Sequence, residues 1–388
     1  MREYFYPLLL TEPYPLYSLL DDQFAYRPTG STTAALISML QLITTLLETL
    51  PYVHLITFDY SKAFDTVRHS TLMEQVATIN FPDQLYNWII DFLSGRDHST
   101  KFQSITSSSA RFNAGVVQGS AIGPAVFTLC VSSYRPITPG NHDRKFADDM
   151  YLIVPSINTH TIPDELAHIA SWASSNNLRL NPTKSAELII KKPRSRVPDP
   201  PTLSSLPRVN TLKVLGVTLQ SDLRMTTHIN NIVARAGQTT YALKVVKSHG
   251  LSSNLLNTVT QGTLFSVITY ASPAWVGFTS AEDLKRLQAT MSRAHRWGLS
   301  ASPVPVSLQA LCDKADLTLF SKVASLGGHV LHSMLPDLQS NTYNLRPRAH
   351  PFVLPPTSQS LKRNFIHRLL FQLAHVKPAT TTRGSTRP

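Results

Sequence analysis

The sequence predicts an α+β fold, and three observations carry that expectation. Apolar, β-branched runs at 53–58, 150–154 and 185–190 are each the right length for one buried strand. Between them, apolar residues recur at helical spacing over about 31–50, 70–79, 82–93, 123–132 and 163–177. From about residue 226 to 334 the pattern is mainly helical, with basic residues scattered along it.

Taken in order, residues 1–20 are rich in Tyr, Pro and Leu without a period. The stretch 21–30 then leads to Ser31 or Thr32, either of which can N-cap the first helix. That helix is interrupted by Ser38, Gln41, Thr44, Thr45 and Glu48, which makes it amphipathic and argues against a membrane span. The strand at 53–58 finishes on Asp59, placing a carboxylate at a sheet edge; an N-cap for the next segment is the plain alternative. Pro82 before one helix and Gly95 after it mark its ends. Residues 100–105 and 111–117 read as paired strands around a Ser-rich turn. The small-residue loop Gln118-Gly119-Ser120-Ala121-Ile122-Gly123-Pro124 opens an apolar helix and exposes backbone N–H groups to a phosphate or base. One further strand is expected over 212–219.

Two cysteines, Cys130 and Cys312, stand far apart, which argues against a disulfide framework or a zinc site and fits a reducing compartment. No secretion signal is recognisable at the start, so an intracellular location is expected, in nucleus or cytoplasm. The net charge of +12 is unevenly divided. Residues 1–190 hold 12 Lys and Arg against 17 Asp and Glu, whereas 191–388 hold 24 against 7. An acidic first part and a basic second part suit a chain that holds cations in one place and a polyanion, such as nucleic acid, in another.

The centre of the sequence is Phe146-Ala147-Asp148-Asp149. Flanked by 144–147 and 150–154, it reads as a tight hairpin with two carboxylates at its tip. Adjacent acids repel, and a hard divalent ion with oxygen ligands relieves that repulsion. A solvated turn is the other reading, because Asp is favoured in turns for its local hydrogen bonds.

The order of the blocks resembles the reverse transcriptases of non-LTR (LINE-type, jockey-like) retrotransposons. Five blocks carry the resemblance: 23–30, 58–67, 118–124, 146–149 and 177–184, the last followed by Leu215-Gly216. It implies a right-hand polymerase palm, an antiparallel sheet packed on helices, with partial fingers and a helical thumb-like region. It further implies RNA-directed DNA polymerase activity on an RNA template and DNA primer with dNTPs. Two Mg²⁺ ions, replaceable by Mn²⁺, would be held by Asp59 and Asp148, with Asp149 in support. The same resemblance assigns Arg27 to the triphosphate, the Tyr60 carbonyl to a metal, and Phe64 to a gate against the 2′-hydroxyl. Gln118, Gly119 and Ser120 would pack on the nucleotide and template, Lys184 would protonate pyrophosphate, and Leu215 and Gly216 would grip the primer. Asp65 is expected to be structural.

Some positions depart from that pattern. Only 22 residues precede Gln23, so the reading is of an N-terminally truncated copy with partial fingers. Val117 stands where the family has Pro, the stretch 131–136 lacks the acidic character expected, and no Cys/His cluster follows the thumb. The expected organisation is partial fingers and palm at 1–190, a Pro-rich connector at 191–207, the primer-grip strand and thumb-like helices at 208–335, and a basic, largely disordered tail at 336–388. Two alternatives stay open: a catalytically impaired remnant that only binds RNA or DNA, and a metal-dependent nuclease using the same acids. No membrane partner is expected.

Overall fold

The structure, a computed structural model, describes residues 20–79, 81–117, 119–120, 122–192, 195–339 and 349–374. They form two compact units, one comprising the described residues to Met39 with Thr49–Arg224, the other Leu40–Glu48 with the described residues from Met225.

The first unit begins in helix α1 (Thr32–Thr49), whose Ser31 hydroxyl accepts from the Ala34 N–H. Among the described residues α1 is the one helix long and apolar enough to cross a membrane, and 56% of it is buried inside the protein. Strand β1 (Tyr52–Phe58) follows, then α2 (Ala63–Thr66), α3 (His69–Ala77) and α4 (Asp83–Leu93). The paired strands expected around 100–117 are replaced by two short ribbons: β2 (Asp97–His98) with β5 (Ala110–Arg111), and β3 (Lys101–Phe102) with β4 (Ile105–Thr106). Every one of their residues is exposed, so no buried face extends the pairing. Next come α5 (Gly123–Ser132), β6 (His142–Phe146), β7 (Asp149–Pro155), α6 (Ile162–Ser175), β8 (Ala186–Lys191), β9 (Thr211–Val214) and β10 (Val217–Gln220).

The sheet is antiparallel throughout, in the order β6-β7-β1-β8. Central β1 and β7 pair Ile56 with Leu152 and Phe58 with Met150. All four are buried in one cluster with Phe127, Leu129 and Val131 of α5 and Ile162, Ile169 and Ala173 of α6. Helix α5 is apolar all round because nine of its ten residues are buried. Each fully buried Leu, Ile or Phe contributes about 1.5–3 kcal/mol, so this layer fixes where the strand ends lie. A partial fifth strand lies beyond β6, where Gln23 bridges Lys145 in parallel. Fully buried Lys145 anchors it through Asp22 at 2.6 Å and Asp143 at 3.0 Å.

At the other edge, His54 Nδ1 lies 2.6 Å from Glu187, which also accepts from Arg208 at 2.7 Å. Arg208 donates in addition to the carbonyls of Pro200 and Pro201, so the Pro-rich stretch is tied to the sheet. The division between units falls at Arg224 rather than at 191–207, and residues 208–220 belong with the sheet. The single strand expected over 212–219 is a hairpin, β9 with β10, turning at Leu215-Gly216. Both turn residues have positive φ, 45° and 87°, the backbone of a two-residue hairpin whose twist matches its strands.

The second unit is helical: α7 (Thr226–Ser248), α8 (Ser253–Thr260), α9 (Ser266–Thr269), α10 (Ser272–Trp275), α11 (Ala281–Arg296), α12 (Leu308–Ser325) and α13 (Phe365–Leu373). Ser280 and Ser307 cap α11 and α12 by accepting from N–H groups three residues on. Part of the tail expected to be disordered is ordered. Phe365, Ile366, Leu369 and Leu370 recur at helical spacing and are buried, while Arg368 pairs with Asp316. The remaining tail residues, 340–348 and 375–388, lie outside the described residues, as does residues 1–19 at the start.

Candidate active site

The site is built on the shared end of β1 and β7. The last pair between these two strands is Phe58 with Met150, so the register brings the next residues, Asp59 and Asp149, opposite each other at that end, Asp149 still pairing with Phe146 of β6. Antiparallel neighbours of this kind have Cα atoms about 4.5–5.5 Å apart. Asp148 precedes Asp149 in the β6–β7 turn, where Ala147 adopts a positive φ of 56°. A topology of two central strands thus gathers acids that are far apart in the chain.

Their electrostatics record the closeness. Burial, followed by the charges of Asp148 and Asp59, pushes the Asp149 carboxyl up to about 6. Burial and then Asp59 also raise Asp148, against the opposing influence of Lys184. Lys184 Nζ stands 3.5 Å from Asp59 Oδ2 and is 67% exposed. It is delivered by a loop that wraps the end of β1: Ser61 N–H donates to the Arg179 carbonyl and Asn181 N–H to the Asp59 carbonyl. These bonds flank a bridge between Tyr60 and Leu180 and do not use the Tyr60 carbonyl.

A divalent cation suits this donor set. Asp59 Oδ2 is shielded from solvent and accepts no hydrogen bond, with the exposed Lys184 ammonium 3.5 Å away, and the other two carboxyls are destabilised as anions by their surroundings. Among the described residues no three His, Cys, Asp or Glu side chains are gathered into a ready-made metal cage. Mg²⁺ does not require one, since it is commonly held by one or two carboxylates with water and substrate phosphates.

Around the acids, the Tyr60 ring is buried, with its hydroxyl 3.1 Å from Met150 Sδ. Phe64, on α2, is half-buried and stacked on Phe127 at 4.2 Å. Gly115 packs against the backbone of Asp65, where a Cβ would stand 2.9 Å from the carbonyl oxygen. Gly119 has φ 81° with open space around it. The Ser120 hydroxyl donates to the Val117 carbonyl at 2.7 Å and accepts from the Gly123 N–H at 3.0 Å, capping the start of α5. Gln118 lies outside the described residues. Arg27 Nη1 is committed to the carbonyls of Leu20 and Gln23. Reaching a triphosphate therefore requires another part of its guanidinium or a changed rotamer. Leu215 is joined to the acid hairpin through Tyr151, whose buried hydroxyl bonds to the Leu215 backbone.

Two residues without an assigned role in the sequence reading stand out. Gln23 hydrogen-bonds the backbone of Ala147, and Tyr151 links β7 to the Leu215-Gly216 turn. Gln23 lies within a resemblance block, and Tyr151 follows Asp149 by one strand period, but their bonds depend on partners remote in sequence.

A four-stranded antiparallel sheet packed on helices, with acids at the ends of its central strands, has the architecture of a polymerase palm. The family model described as reverse transcriptase (RNA-dependent DNA polymerase) matches residues 10–219, and the chain belongs to that family, whose members generally use divalent metal ions. It is 26% identical over 295 residues to a probable RNA-directed DNA polymerase from transposon X-element of Drosophila melanogaster, covering 71% of this chain and 31% of that protein. Against the RNA-directed DNA polymerase from mobile element jockey of the same organism it is 28% identical over 222 residues, covering 54% and 24%. Against the probable polymerase from transposon BS it is 24% identical over 361 residues, covering 87% and 37%. The chain thus spans a quarter to just over a third of the length of these curated relatives. Among solved structures, a Candida tropicalis telomerase complexed with a fragment of telomeric RNA aligns at a TM-score of 0.44 and 11% identity, covering 81% of this chain and 53% of that one.

Proposed function

We propose that this chain carries the polymerase centre of a retrotransposon reverse transcriptase and extends a primer 3′-hydroxyl with dNTPs on an RNA template. The observation that carries the reading is the gathering of Asp59, Asp148 and Asp149 at one sheet end, where Asp59 helps to raise Asp148 and both of them help to raise Asp149. Two Mg²⁺ ions, or Mn²⁺ in their place, would be held by Asp59 and Asp148 with Asp149 in support. When bound, they supply Lewis-acid activation of the 3′-hydroxyl and neutralisation of the triphosphate.

The chain's own groups divide the remaining work. The Tyr60 carbonyl would supply a further oxygen ligand. Lys184, exposed beside Asp59, donates a proton to the departing pyrophosphate. The Phe64 ring, braced by Phe127, blocks a 2′-hydroxyl and selects deoxynucleotides. Arg27 neutralises triphosphate oxygens once its guanidinium turns from the carbonyls it now binds. The loop at Gln118, Gly119 and Ser120 lines the nucleotide, and the Leu215-Gly216 turn holds the primer end. Helices of the second unit, rich in Lys and Arg, contact duplex phosphates and give salt-sensitive, sequence-tolerant binding.

The test supplies a primed RNA template, dNTPs and Mg²⁺ or Mn²⁺, beside an Asp148→Ala control. Extension lost in the control supports the reading. Binding without extension by the unmodified chain would leave only a nucleic-acid-binding role, and template loss without extension would indicate a nuclease.

A further inference from the structure

The turn that presents Asp148 is strained. Hairpin turns with positive φ at the first central residue ordinarily use glycine there, because a Cβ crowds the backbone. This turn instead has Ala147 at φ 56°. A non-glycine residue in that region costs about 1–2 kcal/mol and persists only where its surroundings over-determine it. Something must therefore hold the turn.

The holding group is Gln23, which is fully buried. Its side-chain oxygen accepts from the Ala147 N–H at 3.1 Å and from the Ala25 N–H at 2.9 Å. Its side-chain nitrogen faces the Ala147 carbonyl at 3.5 Å. One amide thus engages both polar backbone groups of the strained residue, a pairing that requires an acceptor and a donor on one planar head. The backbone of Gln23 is itself fixed. Lys145 N–H donates to the Asp22 carbonyl at 2.8 Å and Phe24 N–H to the Lys145 carbonyl at 2.9 Å, docking this stretch on the edge of β6. The buried Lys145 ammonium pairs with Asp22 next to it. The clamp is therefore rigid on both sides, and the next residue beyond it is Asp148.

We propose that Gln23 is a positioning residue that holds Ala147 in its left-handed conformation and so sets the direction of the Asp148 carboxylate toward the divalent cation. The inference rests on the proposed function for the identity of the ligand, but its geometric core does not. Gln23 touches neither substrate nor metal; it acts through the turn.

The test uses the full chain and the volume-conserving variant Gln23→Met, which keeps the packing and removes both hydrogen-bonding groups. Mn²⁺ binding is read by electron paramagnetic resonance of free Mn²⁺ without nucleic acid, and the Mg²⁺ midpoint of primer extension is read separately. The expected result is a fivefold or greater weakening of Mn²⁺ binding and a matching rise in the Mg²⁺ midpoint, with metal-free primer–template binding within twofold. Unchanged Mn²⁺ affinity in a variant that melts like the parent overturns the proposal. Should Gln23→Met fail to fold, hydrogen exchange in the unmodified protein decides: slow exchange at the Ala147 amide is expected, and exchange at the rate of an open turn overturns the clamp. Failure of the unmodified chain to extend any primer removes the polymerase reading, yet leaves the Mn²⁺ and exchange measurements able to support or sink the clamp.

Discussion

Replacing Asp149 with Asn should stabilise the metal-free protein at alkaline pH, although it removes a charged group from the candidate site. Asp149 is pushed from 3.8 to about 6 by burial, then by Asp148 and Asp59. The folded protein therefore holds this proton more tightly than the unfolded chain does. Its ionisation costs nothing below pH 4 and is fully felt once the pH has risen through 6. At 1.36 kcal/mol per pH unit the displacement corresponds to about 3 kcal/mol, which solvent screening at a partly open site lowers to about 1–2 kcal/mol. For a unit of some 200 residues that is a rise of about 3–6 °C in Tm. The assay is thermal unfolding by circular dichroism in EDTA at pH 4.5 and pH 8, for the parent and Asp149→Asn. The expected pattern is a higher Tm for the variant at pH 8, little difference at pH 4.5, and a smaller gap at pH 8 when Mg²⁺ is added. Equal melting at pH 8, or an advantage that persists undiminished at pH 4.5, would refute the reasoning.

Other substitutions separate the roles of the surrounding residues. Phe64→Ala should raise the ratio of ribonucleotide to deoxynucleotide incorporation by about tenfold or more, read in single-nucleotide extension, since a lost steric barrier changes selection more than binding. It should also cost about 3 kcal/mol of stability through the lost stack on Phe127. Lys184→Ala should lower kcat by about 10²-fold with KM for the nucleotide within about twofold, the signature of a group needed in the transition state. Tyr151→Phe removes one hydroxyl bonded to the Leu215 backbone, worth about 1 kcal/mol. Amides over 211–220 should then exchange faster, while those of β1 keep their protection.

The elements of this site differ in how well the sequence reveals them. Strands ending in Asp59 and beginning at Asp149 are legible because a short apolar run that stops on an acid has few other uses. The helix capped by Ser31 and the proline-started helices are legible for local reasons too. The hairpin at 211–220 is not, because Leu215 in a positive-φ turn contradicts its own propensity and only Gly216 hints at the reversal. The ordered helix Phe365–Leu373 is hidden by a composition rich in Pro, Thr and Arg on either side, although its own apolar spacing is regular. Gln23 and Tyr151 are hidden for a different reason. A hydrogen bond spanning 124 positions leaves no local pattern, and only the docking of the 22–25 stretch on β6 creates it.

Whether carboxylates from two remote strand ends act as one cation site is answered most directly by Mn²⁺ titration of the parent, Asp59→Asn and Asp148→Asn in the presence of a dNTP. The parent should bind Mn²⁺ measurably, and either substitution, made alone in a protein that still folds, should weaken that binding at least tenfold. Mn²⁺ affinity equal to the parent's in both folded variants would contradict a shared cation site.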